Sequence, residues 1–173
     1  DCGKAVHGHA REGHGGDPHV WLDPILVRDE LVPRIAGALV RLRPAGREEI
    51  LRRADAVRSG LARLDAELRV LLQPVAGRSY IAFHSAWRYF GARYDLREAA
   101  TVEPFPGKEV SAREMIQIVE AARRSGATAL LIEPQFSERV ALQMAREFGG
   151  RVVVADPFGG PGLAGRDTYE RSE

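Results

Sequence analysis

The sequence predicts an α/β lobe, a parallel sheet with helices on both faces, entered through one long helix. Three observations carry that expectation. Short apolar runs stand at 80–83, 129–132 and 152–155, of the kind that lie buried on both faces of a parallel sheet. From Gln73 onward these runs alternate with helical patterns, which is the signature of strands joined by covering helices. Upstream, Leu51, Ala54, Val57, Leu61, Leu64, Leu68 and Leu71 follow one another at steps of three and four, a single narrow helical seam.

The elements follow in order. Residues 1–18 are rich in Gly and His and have no apolar period, so they read as a mobile segment. Asp23-Pro24 opens a helical stretch to about Arg43, with Ile25, Leu26, Leu31, Ile35, Leu39 and Leu42 as its buried face. Pro33 lies inside that pattern, lacks an N–H, and is expected to kink or restart the helix. A second helix over 44–72 would be roughly 40 Å long at 1.5 Å per residue, either a brace between lobes or an ordinary amphipathic core helix. Strand 80–83 is followed by Ser85 as the cap of a helix over 86–93, then by a strand over 96–102 and a Pro-rich loop over 103–107. Ser111 and Glu114 have capping-box spacing at the head of a helix that Gly126 ends. After strand 129–132, Ser137 heads a helix that buries Val140, Ala141, Met144, Ala145 and Phe148, and Gly149-Gly150 stops it before a last strand over 151–155. The residues at 167–173 read as the start of a helix without its apolar face.

Composition narrows the function classes. At 173 residues the chain can bury one real core but not two full α/β lobes. Lys+Arg 25 against Asp+Glu 24 leaves almost no net charge, and the arginines are interspersed with acids. That pattern is a solvated surface and gives no stripe for nucleic acid. Cys2 is the only cysteine, so there is no internal disulfide and no thiolate zinc cluster. No apolar run approaches the roughly 20 residues needed to span a bilayer. The chain opens on Asp1 with no apolar leader, so either a leader was removed or the chain starts inside a longer protein.

His84, Glu133 and Asp156 each stand at the C-terminal end of a strand-like run. In an open α/β sheet those ends share one edge, where ligand crevices form. His19 lies in Asp-Pro-His-Val-Trp-Leu-Asp-Pro, just after His7, His9 and His14. Singly, each of these residues reads as a turn or a satisfied polar group; their shared edge points to a metal site. Neutral imidazole with carboxylate is a common donor set for zinc. The histidine tract is too loosely spaced to be preorganised, but it can gather metal weakly. A zinc hydrolase would instead leave a coordination position for water, with Glu133 as its general base, yet no His-Glu-x-x-His helix is present. A metal-free interaction module is the third alternative.

Four segments carry a resemblance: 17–24 (Asp-Pro-His-Val-Trp-Leu-Asp-Pro), 83–90 (Phe-His-Ser-Ala-Trp-Arg-Tyr-Phe), 132–137 (Ile-Glu-Pro-Gln-Phe-Ser) and 156–160 (Asp-Pro-Phe-Gly-Gly). As an ordered set, the chain resembles the zinc and manganese solute-binding proteins of bacterial ABC importers, the ZnuA-like cluster A-I family. The resemblance implies two lobes joined by a long helix with metal between them. On it, 1–18 is a His-rich mobile segment, 19–72 the metal-ligand loop, helix and linking helix, and 73–173 the C-terminal lobe. It implies His19, His84 and Asp156 as metal ligands, with Glu133 behind them or in the scaffold. It also implies Zn2+ over Mn2+, because manganese-type members often carry Glu at the position of His84. The implied protein is extracytoplasmic, a monomer when complete, and delivers its ion to a membrane permease. Most of the family's N-terminal lobe has no counterpart here, so the chain is expected to be a fragment with apolar surface left uncovered.

Overall fold

The structure, a computed structural model, describes residues 16–103 and 110–158. The predicted mobile segment with His7, His9 and His14, most of the Pro-rich loop, the Gly-rich loop and the tail therefore lie outside the described residues. The first helix begins as α1 (Pro24–Leu26), capped by Asp23, whose Oδ1 accepts from the Ile25 and Leu26 N–H groups at 2.8 and 3.2 Å. It widens into a π-helical turn at Val27–Leu31 and continues as α2 (Val32–Leu42). Pro33 sits in the first turn of α2, so the expected restart falls just before it, where the missing N–H costs no helical bond.

That wide turn overturns one expectation. Ile35, Leu39 and Leu42 were read as buried, but they are 58%, 47% and 82% exposed. A π turn holds one residue more than an α turn, so a 3.6-residue count carried through it slips by one position. The side of α2 that faces the next helix carries Ala36, Gly37 and Val40 instead.

A short turn at Pro44–Gly46 leads to α3 (Arg47–Leu72), 26 residues and about 39 Å long. Its apolar seam is covered only in part. Leu61 is buried and Ala54, Leu64 and Leu68 are half-buried, whereas Leu51, Val57 and Leu71 are exposed. Among the described residues the rod is covered along its side mainly by α1, the wide turn and α2, so the ends of the seam outrun their cover. One acid is buried among the seam residues, Asp65.

The lobe follows as β1 (Ser79–His84), α4 (Arg88–Arg93), β2 (Arg97–Glu103), α5 (Ala112–Ser125), β3 (Ala129–Ile132), α6 (Glu138–Phe148) and β4 (Arg151–Val154). Its strands form one parallel sheet in the order β2-β1-β3-β4. The Ser111–Glu114 capping box is complete and Gly126 closes α5 at φ 66°, in the left-handed region that glycine adopts without steric cost. Ser137 stands at the head of α6 but makes no side-chain cap bond there. β4, read as buried on both faces, is an edge strand with Arg151 and Val154 exposed, because nothing pairs with its far side among the described residues.

The two faces of the sheet are covered differently. On one, Ile81, Phe83, Leu130 and Ile132 pack with Ile118 and Ala122 of α5 and Ala141, Met144 and Ala145 of α6. On the other, Tyr80, Ala82, Ala86 and Trp87 meet Leu22, Phe90, Leu131 and Ala155. Among the described residues no helix is long and apolar enough to cross a membrane.

Candidate metal centre

The chain leaves β1 for β2 on one side of the sheet, and β3 and β4 lie on the other. The crevice between the C-terminal ends of β1 and β3 is thus the topological switch point, where ligands bind in sheets of this type. His84 is the last residue of β1. His19 opens a short helical turn, His19–Leu22, laid over the same edge. Their rings meet edge to face, with centroids 5.2 Å apart and planes at 75°.

His19 is held from behind. Asp17 Oδ1 accepts from the His19 backbone N–H at 3.0 Å and lies 2.8 Å from Nδ1 of the ring. An ionised carboxylate only accepts, so Nδ1 is the donating nitrogen, and in the neutral ring the lone pair is then on Nε2. This is how a carboxylate behind an imidazole fixes tautomer and ring orientation for metal binding. Asp17 falls within the segment read from sequence as mobile, and sequence reasoning missed its role. The signal available was a carboxylate two residues before a histidine, with Pro18 stiffening the step between them.

Trp21 ties in the start of the segment 156–160. Its indole N–H donates to the carbonyl of Pro157 at 3.0 Å, and its ring packs on His19 and on Phe158, with centroid distances of 5.2 and 5.3 Å. The turn that carries Asp156 is thereby drawn against the turn that carries His19. Asp156 Oδ1 accepts from the Phe158 N–H at 2.9 Å. The structure brings His19 and His84 into contact and sets Asp156 on the adjoining turn. Among the described residues, no three His, Cys, Asp or Glu side chains are grouped closely enough to hold a metal ion together. Glu133 is buried just past the end of β3.

Ser85 does not cap α4, as the sequence suggested. Trp87 takes the position before the helix without a side-chain cap bond, and Ser85 Oγ donates to Glu98 Oε1 on β2 at 2.9 Å. Thr101 Oγ1 donates to the same oxygen at 2.7 Å. This nearly buried carboxylate therefore grips the residue next to His84. Tyr80 lies on the same face and donates to the Trp87 carbonyl at 3.2 Å. Burial first, then the Glu98 charge, pushes its hydroxyl well above the ordinary tyrosine range.

A second polar group anchors this region to α3. Arg93 Nε lies 2.9 Å from Asp65 Oδ1 and 3.7 Å from Asp23 Oδ1, and Arg69 donates to Asp65 Oδ2 at 3.0 Å. Burial alone would raise the Asp65 carboxyl, but its hydrogen bonds from Arg93 and Arg69 outweigh burial and hold it below the ordinary aspartate range. Arg93 thus joins α4, the cap of α1 and the long helix.

Comparison with known proteins gives a consistent result. The family model described as zinc-uptake complex component A, periplasmic (ZnuA), matches residues 2–172. The high-affinity zinc uptake system protein ZnuA of Brucella abortus is 32% identical over 157 residues, covering 88% of this chain and 46% of that protein. The zinc-binding lipoprotein AdcA of Streptococcus pneumoniae is 28% identical, covering 88% of this chain and 30% of its own length. A crystal structure of ZnuA superposes with a TM-score of 0.72 at 36% identity, over 82% of this chain and 54% of that one. The chain therefore spans about half the length or less of the relatives it matches.

Proposed function

Because the chain belongs to the ZnuA family of periplasmic zinc-uptake components, we propose that it is part of an extracytoplasmic zinc carrier that hands its ion to an ABC permease. In this reading zinc is cargo. His19 Nε2 and a nitrogen of His84 supply two donors, and the Asp156 carboxylate supplies a third. A carboxylate has about four lone-pair sites, so Asp156 can bond a metal while Oδ1 keeps the Phe158 N–H. The same reading makes α3 the linking helix and 73–173 the second lobe of a longer protein.

The observation that carries the proposal is the imidazole pair at the switch point, with Asp17 fixing the tautomer of one ring. Two imidazoles with one carboxylate favour zinc over manganese, both by ligand softness and by the Irving–Williams order. Family membership supports transport over catalysis, and no residue here is assigned a catalytic role.

The test is thermal unfolding of the metal-stripped chain with and without zinc. Ligand that binds only the folded state raises stability by mass action, so zinc should raise Tm. His84→Ala should remove most of that rise. A wild-type chain whose Tm ignores zinc, or a His84→Ala variant that responds in full, contradicts the assignment.

A further inference from the structure

Glu133 is 2% exposed and stands at the mouth of the β1–β3 crevice. Ala82 pairs with Leu131 across the two parallel strands, so two residues further along, His84 comes level with Glu133. Side chains alternate between the faces of a strand. Ala82, Leu131 and Ala155 all pack on the face covered by Leu22, and the alternation sets His84 and Glu133 on that same face. Glu133 therefore sits one strand over from His84, on the side where the His19 turn lies.

Its hydrogen bonding is incomplete. Gln135 Nε2 donates to Oε2, while Oε1 is buried with no hydrogen-bond partner among the described residues. Asp17 Oδ2 and Glu98 Oε2 are buried and unpartnered as well. Three carboxylates thus stand around the elements that carry the imidazole pair, Asp17 on His19, Glu98 on Ser85 and Glu133 one strand over from His84, and among the described residues the arginine paired with them is Arg88, 3.5 Å from Glu98 and largely exposed. An unsatisfied buried polar group costs free energy, more so when charged, and burying like charges together adds to that cost. A fold under selection for stability alone gains nothing from this arrangement, whereas a site meant to attract a divalent cation does.

We propose that Glu133 is an electrostatic positioning residue of the metal site: its carboxylate is kept buried beside His84 so that charge in the crevice balances only when a divalent cation is present. This rests on the zinc reading above and extends it to a residue that need not ligate the ion.

The full chain is compared as wild type, Glu133→Gln, Gln135→Leu, His84→Ala and, as an exposed control, Glu138→Gln. Zinc affinity is read by competition with a chromophoric chelator, and Tm is read in metal-free buffer and with zinc. Glu133→Gln should raise the metal-free Tm and weaken zinc binding about tenfold, the scale on which groups behind metal ligands act. Gln135→Leu strips the remaining donor from the carboxylate, so it should lower the metal-free Tm and enlarge the rise that zinc produces. Glu138→Gln should change neither quantity. Zinc affinity unchanged in Glu133→Gln, while His84→Ala loses it, would overturn this inference and leave the zinc reading intact. Wild type without zinc affinity would overturn both. If Glu133→Gln does not fold, the Gln135→Leu result decides, and a zinc-induced rise no larger than wild type counts against the role.

Discussion

The two faces of the same sheet are built to different ends. The face under α5 and α6 carries the larger apolar cluster, in which Ile81, Leu130, Met144 and Ala145 are essentially removed from solvent and bring no polar side-chain atom to satisfy. The face under the His19 turn has a smaller apolar cluster, and its buried polar groups include His19, Glu133 and one carboxylate oxygen each of Asp17 and Glu98. Strand alternation allows both designs on one set of residues. On the proposed zinc reading, stability and metal affinity are drawn from opposite sides of β1 and β3, so substitutions should separate them.

The sharpest contrast comes from the apolar face. Leu130→Ala removes a fully buried side chain and leaves a cavity, which should cost about 3 kcal/mol. At temperatures where the variant remains folded, chelator competition should find its zinc affinity unchanged. A large loss of affinity would show that the faces are not independent.

An intermediate effect is expected at the junction with α3. Arg93→Met removes the guanidinium that Asp65 and Asp23 share, leaving Asp65 with Arg69 alone. Removing one partner of a fully buried pair costs several kcal/mol, and partial exposure of Arg93 reduces this to about 2 kcal/mol in urea unfolding at neutral pH. The sign with pH follows from the lowered Asp65 pKa. Such a carboxyl stabilises the fold above its unfolded pKa, near 4, and the contribution is lost as pH falls through the lower folded value. The gap between wild type and Arg93→Met should therefore narrow below about pH 4.

The smallest stability change should come from Trp21→Phe. It keeps an aromatic ring against His19 and Phe158 but deletes the donor to Pro157, one partly buried hydrogen bond worth about 1 kcal/mol. Its larger effect should be on zinc release, because it loosens the turn of His19 from that of Asp156. Stopped-flow transfer to a chelator should show faster loss with little change in Tm, the reverse of Leu130→Ala.

Much of this was legible in the sequence, for identifiable reasons. The strands around Ile81, Leu130 and Val153 announce themselves as apolar runs, and the α5 cap is written in Ser111 and Glu114. The meeting of His19 with His84 was legible as motif and sheet-edge logic. What was not legible depends on contacts between distant residues. Ser85 reads as a cap until Glu98, on a strand 13 residues away, accepts its hydrogen bond. Asp65, within the long helix, carries no sequence signal of its pairing with Arg93, 28 residues away. Asp17 looks like part of a loose tract because nothing in its neighbourhood is periodic.

The π turn at Val27–Leu31 has a consequence for how this chain tolerates change. A turn that already holds a spare residue is slack in an otherwise taut helix, able to take up a one-residue difference in length by narrowing to an α turn. The seat of Ala36 and Val40 against the long rod and the aim of the His19 segment are thus insulated from each other. A one-residue deletion within the turn is absorbed there, by return to α geometry, without a twist passing to the His19 segment.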